Sequence, residues 1–176
     1  MLYRGDFVYH IKVFEKPEGN ITAILRGILA GNALCKICTG TDFNHSYHLN
    51  SFSLGIIPPS EESRFLHYDK IGCETLLAPS TFFSAGSSIH TSRVVSYGFS
   101  HRDSLTLSSI SEEKIVITIQ RELFTLDGNI LERQEIPIKN TGSPIDGLVS
   151  ASALMLLGIA PESLSLRTGN HIKTSF

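Results

Sequence analysis

Asp6-Phe7-Val8-Tyr9-His10-Ile11-Lys12-Val13-Phe14 alternates apolar and polar side chains after Phe7, the period of a half-buried β-strand. Pro17-Glu18-Gly19-Asn20 breaks the pattern with turn-forming residues. Beyond the break, Ile21, Ile24, Leu25, Ile28 and Leu29 recur at helical spacing, which predicts a helix over 21–34. Gly27 and Gly31 weaken it, and Gly31-Asn32 is an end signal. A strand that feeds a helix through a short turn sets the grammar of the first part of the chain.

The same alternation continues. Cys35 to His48 reads as a loop, and Phe52 to Ile57 as a short buried strand closed by Pro58-Pro59. Ser60-Glu61-Glu62-Ser63 opens a helix to Lys70, with Ser60 as its cap and Ser63 where a capping box would carry Glu. Glu74 to Ala78 is another apolar strand, followed by Pro79-Ser80-Thr81 and small residues through Ser92. Val94 to Phe99 is a strand that ends at His101-Arg102-Asp103.

From there the pattern changes to three strand-like runs, Ser104 to Ile110, Lys114 to Phe124 and Ile130 to Ile138. Asp127-Gly128 supplies a hairpin turn that tolerates positive φ. Ser143-Pro144 then starts a helix through Leu157, with proline suited to its first turn and Gly158 to its end. Leu148, Val149, Ala151, Leu154, Met155 and Leu157 give that helix a packing face. This order predicts an α/β three-layer domain with a mixed, mainly parallel sheet and an antiparallel patch in the second half. No repeat, low-complexity tract or linker divides residues 1–176, which read as one domain.

A chain of 176 residues can bury a full core, and its 41% hydrophobic and 18% charged residues describe an ordinary globular protein. A net charge of −2 without any basic run argues against a nucleic-acid partner. No apolar stretch approaches a membrane span, and no signal-peptide pattern follows Met1. An odd count of three cysteines speaks for a reducing compartment, so the expected location is cytoplasmic.

Three constellations could carry chemistry. The first is Cys35, Cys38, His45 and His48, thiolate and imidazole ligands of the kind that close a tetrahedral zinc site. Zinc there would brace a loop or, with an open position, activate water. The other reading packs Cys35 and Cys38 as small hydrophobes after a helix and leaves His45 and His48 on the surface. The second is Cys73 with His90, a thiol and a base that could hold it as thiolate. Gly72-Cys73 ahead of a strand and His90 beyond it resembles the cysteine–histidine glutamine deamidases, among them chemoreceptor deamidases and cytotoxic necrotizing factor toxins. Thr91 or Ser92 would orient the imidazole, and the alternative is a buried structural cysteine with a histidine in a polar turn. The third is His101, Arg102 and Asp103 at a strand end, where open α/β sheets collect ligands. Arg102 would hold a carboxylate or phosphate of a small-molecule ligand or cofactor. An exposed turn with an Arg–Asp pair is the plainer reading.

Arg93-Val94-Val95-Ser96-Tyr97-Gly98-Phe99 followed by Asp103-Ser104-Leu105-Thr106-Leu107 resembles a segment of the central ATP-binding domain of the Mur ligases. Ile136-Pro137-Ile138, Thr141-Gly142-Ser143-Pro144, Ala151 through Leu157 and Gly158-Ile159-Ala160-Pro161-Glu162 follow in that family's order. The resemblance covers roughly residues 75–165. It implies an ATP site built on a glycine-rich loop ending Gly-Lys-Thr, whose amides and lysine cradle phosphate. At the corresponding strand-to-helix turn this chain has Lys16-Pro17-Glu18-Gly19-Asn20-Ile21-Thr22, without Gly-Lys-Thr, and Glu18 would repel phosphate. The family's aspartate- and histidine-bearing motif for substrate and magnesium is not recognisable either. The expectation is a non-ligase α/β domain that binds a ligand, associates with itself or docks a partner protein. The alternative is a small hydrolase or amidohydrolase that works through zinc or through Cys73.

Overall fold

The computed structural model describes residues 8–40, 52–59, 71–85, 89–140 and 142–164. The chain runs through β1 (Tyr9–Val13), α1 (Asn20–Ile28), β2 (Cys35–Thr39), β3 (Phe52–Ile56), β4 (Ile71–Pro79) and β5 (Ile89–Gly98). It continues with β6 (Leu105–Ile110), β7 (Lys114–Ile119), β8 (Leu123–Phe124), β9 (Ile130–Leu131), β10 (Gln134–Lys139) and α2 (Pro144–Leu156). An eight-stranded sheet has the order β2-β1-β3-β4-β5-β6-β7-β10, and β8 and β9 form a separate hairpin. From β2 to β6 every neighbouring pair is parallel. β7 runs antiparallel to both β6 and β10. The sheet is therefore mixed, mainly parallel, with its antiparallel part in the second half of the chain.

Side-chain patterning explains the two halves. In β7, Ile115, Ile117 and Ile119 are buried, and across from them Ile136 and Ile138 of β10 face the same core. Pro137 sits between those two isoleucines on the outermost strand, where a missing N–H costs no internal ladder bond. The parallel strands instead carry apolar residues towards both faces. Ile11, Val13, Leu54, Ile56, Leu77, Val95 and Tyr97 join the main core with α1 and α2. Phe14, Ile57, Cys73, Leu76, Ala78 and Phe82 form a second, smaller cluster, to which the 3₁₀ turn Ser80–Ala85 contributes Phe82 and packs Phe83 alongside.

α2 starts as its sequence dictates, with Ser143 Oγ accepting from Asp146 N–H at 3.4 Å and Pro144 in the first turn. It is buried continuously from Leu148 to Leu156, and Gly158 follows its end at φ +85°. α1 stops at Ile28, earlier than its periodicity predicts, and Gly31 turns the chain at φ +80°. Several segments differ from their sequence reading: the runs 114–124 and 130–138 are each broken in two, at 120–122 and 132–133, and β8 and β9 leave the main sheet. Cys35–Thr39 is strand β2, not a loop, and His90 lies within β5, not in a turn. The helix expected over 60–70 lies outside the described residues, as do His45 and His48. No helix among the described residues is long and apolar enough to cross a membrane.

Candidate functional site

The strand order reverses at β1. The chain leaves it for β2 on one side and returns to β3 on the other. In an open α/β sheet that reversal opens a crevice beyond the carboxyl ends of the strands, the usual place for a ligand. The turn from β1 to α1 fills this position. Phe14 N–H donates to Ile56 O at 2.9 Å, and Gly40 N–H donates to Glu15 O at 2.9 Å, so the turn is tied to the ends of both neighbouring strands. Lys12, buried on the same strand, donates from Nζ to Thr39 O at 3.1 Å. Gly19 N–H closes a tight turn on Lys16 O at 2.9 Å, with Pro17 and Glu18 between them.

Gly19 is the N-cap of α1 and offers no side chain to the free amides of the first turn. Glu15 supplies what it lacks. Its carboxylate is 5% exposed and accepts the Thr22 N–H through Oε1. A Cβ on residue 19 would overlap that carboxyl group, so the close approach requires glycine. The positive end of the α1 dipole thus faces a carboxylate from the chain itself. The first turn of α2 is similarly provided for by Asp146, whose Oδ2 also accepts from Asn20 Nδ2 at 3.1 Å. In the sequence, Glu18 is the acid of this turn expected to repel phosphate. Glu18 is exposed, and Glu15 is the residue that reaches the helix.

His101, Arg102 and Asp103 lie at the same carboxyl edge, beyond β5. Their side chains do not converge. His101 and Arg102 are exposed, whereas Asp103 is fully buried and accepts Ser100 N–H through Oδ2 at 3.0 Å. Gly98 makes room for it, since a Cβ there would stand 2.6 Å from the same oxygen. Asp103 Oδ1 is buried with no hydrogen-bond partner. Asp103 therefore pins the turn between β5 and β6.

Cys73 and His90 sit at the opposite, amino-terminal edge of β4 and β5. The register pairs Cys73 with Thr91 and Gly72 with His90. The Cys73 thiol is 3.8 Å from Thr91 Oγ1, and adjacent residues on a strand leave opposite faces. The imidazole of exposed His90 thus points away from the sulfur, and the pair is not assembled as a dyad. Burial pushes the Cys73 thiol up to about 11, against the pull of the Thr91 hydroxyl and the Gly55 backbone. At neutral pH it is a thiol packed in the second cluster, not a nucleophilic thiolate.

The proposed zinc ligands are divided by the same pleat. Cys35 and Ile37 pack towards the main core, while Cys38 is exposed and aligned with Lys12 across β1. Three residues apart on a strand, the two sulfurs leave opposite faces and do not converge on one ion. The two-residue gap brings them together only where the chain turns. Burial also raises the Cys35 thiol. Among the described residues no group of three or more His, Cys, Asp and Glu side chains could hold a metal.

The sheet order and its mixed, mainly parallel direction, with the helices α1 and α2 packed on the main core, define an α/β fold. Among solved structures, the chain is similar to the UDP-N-acetylmuramoylalanyl-D-glutamyl-2,6-diaminopimelate–D-alanyl-D-alanyl ligase from Acinetobacter baumannii, with a TM-score of 0.51 at 9% identity. The likeness covers 92% of this chain, well beyond the segment whose sequence resembles the Mur ligases, but 45% of the ligase. At that identity it is a likeness of fold. No model of a known protein family matches the chain, and no curated protein matches it in sequence.

Proposed function

We propose that this chain is a non-ligase α/β domain, related to the central ATP-binding domain of the Mur ligases, that serves as a ligand-binding or interaction module. The observation that carries this reading is the β1–α1 turn. Where the resemblance implies Gly-Lys-Thr amides around a phosphate, this chain has Gly19-Asn20-Ile21-Thr22, and the Thr22 amide is taken by Glu15. A phosphate brought to this helix end would meet a buried carboxylate, and like charges at such range repel strongly. ATP-driven ligation has no anchor here.

A non-nucleotide ligand would have the remainder of the carboxyl edge, from the end of β3 to the turn at His101 and Arg102. For a protein partner or a second copy, Phe124 and Ile130, about half exposed and directly paired across the β8–β9 hairpin, offer apolar surface. Cys35, Cys38 and Cys73 are all free thiols, which agrees with a reducing, cytoplasmic setting. No observation favours the hydrolase alternative. Calorimetric titration with magnesium–ATP tests the reading directly, and no saturable binding is expected. Saturable binding that is lost on altering the β1–α1 turn overturns it. Light scattering tests self-association, against which a monomer would count.

A further inference from the structure

We infer that a second copy of this chain docks on β2: the free edge of that strand pairs antiparallel with itself across a two-fold axis at Ile37, joining two sheets into one. The inference rests on the reading above of the chain as an interaction module and names the partner and the surface.

The two edges of the sheet differ in what they offer. β10 ends the sheet on one side and β2 on the other. Along a strand, successive residues turn their backbone groups to opposite sides. Asn140 N–H donates to Glu113 O at 2.9 Å where β10 runs beside β7, so residues 136 and 138 face β7 and residues 135, 137 and 139 face outwards. Pro137 thus stands in the middle of that edge without an N–H, flanked by Glu135 and Lys139, and closes it to further pairing. β2, Cys35-Lys36-Ile37-Cys38-Thr39, has neither proline nor bulge. Tyr9 N–H donates to Leu34 O at 2.7 Å and Gly40 N–H to Glu15 O at 2.9 Å. The even-numbered residues of β2 therefore bond β1, and Cys35, Ile37 and Thr39 turn their backbone groups outwards. Two of these groups are already used, since Cys35 N–H donates to Asn32 O at 3.3 Å and Thr39 O accepts from Lys12 Nζ at 3.1 Å. Cys35 O, Ile37 N–H, Ile37 O and Thr39 N–H have no partner among the described residues.

That set is its own complement. With Ile37 opposite Ile37 of a second copy, two hydrogen bonds form at the axis, and Cys35 O meets Thr39 N–H on either side. Every open group is then used, and the two groups already bonded fall opposite each other. The charges agree with this register. Lys36 is the one charged residue of β2, and it comes to lie across from Cys38 of the second copy, so like charges do not meet directly. The contact is isologous, and with β10 closed by Pro137 the assembly ends at a dimer instead of growing into a fibre. A strand of five residues buries little surface, so the dimer is a dissociating one.

Sedimentation equilibrium of the full chain, from low to high micromolar concentration, is the test. Wild type should pass from monomer to dimer. Ile37→Pro removes the donor at the axis and should weaken the dimer by about tenfold or more. Lys36→Cys puts a thiol across from Cys38 of the second copy, with Cα atoms about 4.5 Å apart. Mild oxidation should then give a covalent dimer linked between positions 36 and 38 in peptide mapping. Within one copy those positions stand about 7 Å apart with parallel Cβ vectors, which a disulfide does not span. A wild type that stays monomeric overturns the inference, as does a folded Ile37→Pro protein that dimerises equally well. If Ile37→Pro fails to fold, the cross-link decides: a link between 36 and 38 supports the inference, and links elsewhere or none overturn it. A dimer kept in Ile37→Pro but lost in Phe124→Ser/Ile130→Ser overturns this inference and leaves the functional reading standing. A monomeric wild type that binds magnesium–ATP overturns both.

Discussion

The Tyr97 hydroxyl donates to the Ile57 carbonyl at 2.6 Å and ties the end of β5 to the end of β3 across the intervening β4. Tyr97 is 1% exposed, and Ile57 N–H already bonds Leu77 O at 2.9 Å, so three consecutive strand ends are fastened through one residue. The carboxyl edge at the switch point is held rigid by this link. Replacing Tyr97 with Phe keeps the ring and deprives a buried carbonyl of this donor. The expected loss is about 1–3 kcal/mol of unfolding free energy, read from urea denaturation with an unchanged m-value. A midpoint equal to wild type would show the bond to be dispensable.

Cys73 links pH to stability. Its thiol is raised by burial from 9.0 to about 11, so the folded chain keeps a proton that the unfolded chain releases. The resulting stability is fully present below about pH 9 and is lost as pH rises towards about 11. Across that window wild type should lose roughly 2 kcal/mol more than Cys73→Ala, as an order of magnitude. Subtracting the two curves removes the titration of every other group. Parallel curves would mean that the sulfur is not held away from water.

Gly158 and Asp127 are coupled where the hairpin meets the end of α2. Leu126 N–H donates to Leu156 O at 2.7 Å, and a Cβ on residue 158 would stand 2.7 Å from Asp127 Oδ2. Gly158 also sits at φ +85°, where an L-residue costs about 1–2 kcal/mol. Gly158→Ala should therefore destabilise by more than the backbone term alone. In the Asp127→Ala background the steric part should vanish and only the backbone part remain. Strictly additive effects in this double-mutant cycle would show that the carboxylate simply moves aside.

Much of this fold is legible in the sequence, because the period of its apolar residues is set by burial. Ile115, Ile117 and Ile119 announce a half-buried strand, and Ser143-Pro144 with Gly158 brackets α2 almost to the residue. β2 was hidden by its composition. Cys-Lys-Ile-Cys-Thr reads as metal chemistry, yet the alternation of Cys35, Ile37 and Thr39 against Lys36 and Cys38 is that of a strand. The role of Glu15 was hidden for a different reason. Its carboxylate caps a helix from seven residues before the amide it bonds, and only the folded turn brings the two together. The one local signal is Gly19, an N-cap that needs an acceptor from elsewhere. Cys73 and His90 were placed in sequence order that fits a dyad, but register, which sequence spacing does not give, separates them.

The pleat of β2 makes the last prediction. Cys38 is exposed, Cys35 is partly buried against the main core, and Cys73 is buried. Alkylation of the native protein at neutral pH should thus proceed in the order Cys38, Cys35, Cys73, with Cys73 labelled at the rate of unfolding. Because the sulfurs of Cys35 and Cys38 leave opposite faces, no zinc ion can take both while β2 is paired with β1. Elemental analysis of tag-free protein purified without chelator should show no zinc that depends on the two cysteines jointly. About one zinc per chain, lost equally in Cys35→Ser and Cys38→Ser, would require β2 to leave the sheet at that point. It would also restore the Cys35, Cys38, His45 and His48 set as a metal site. Zinc lost in Cys38→Ser but kept in Cys35→Ser would instead place the ion on the outer face alone, where Cys38 lies in register with Lys12.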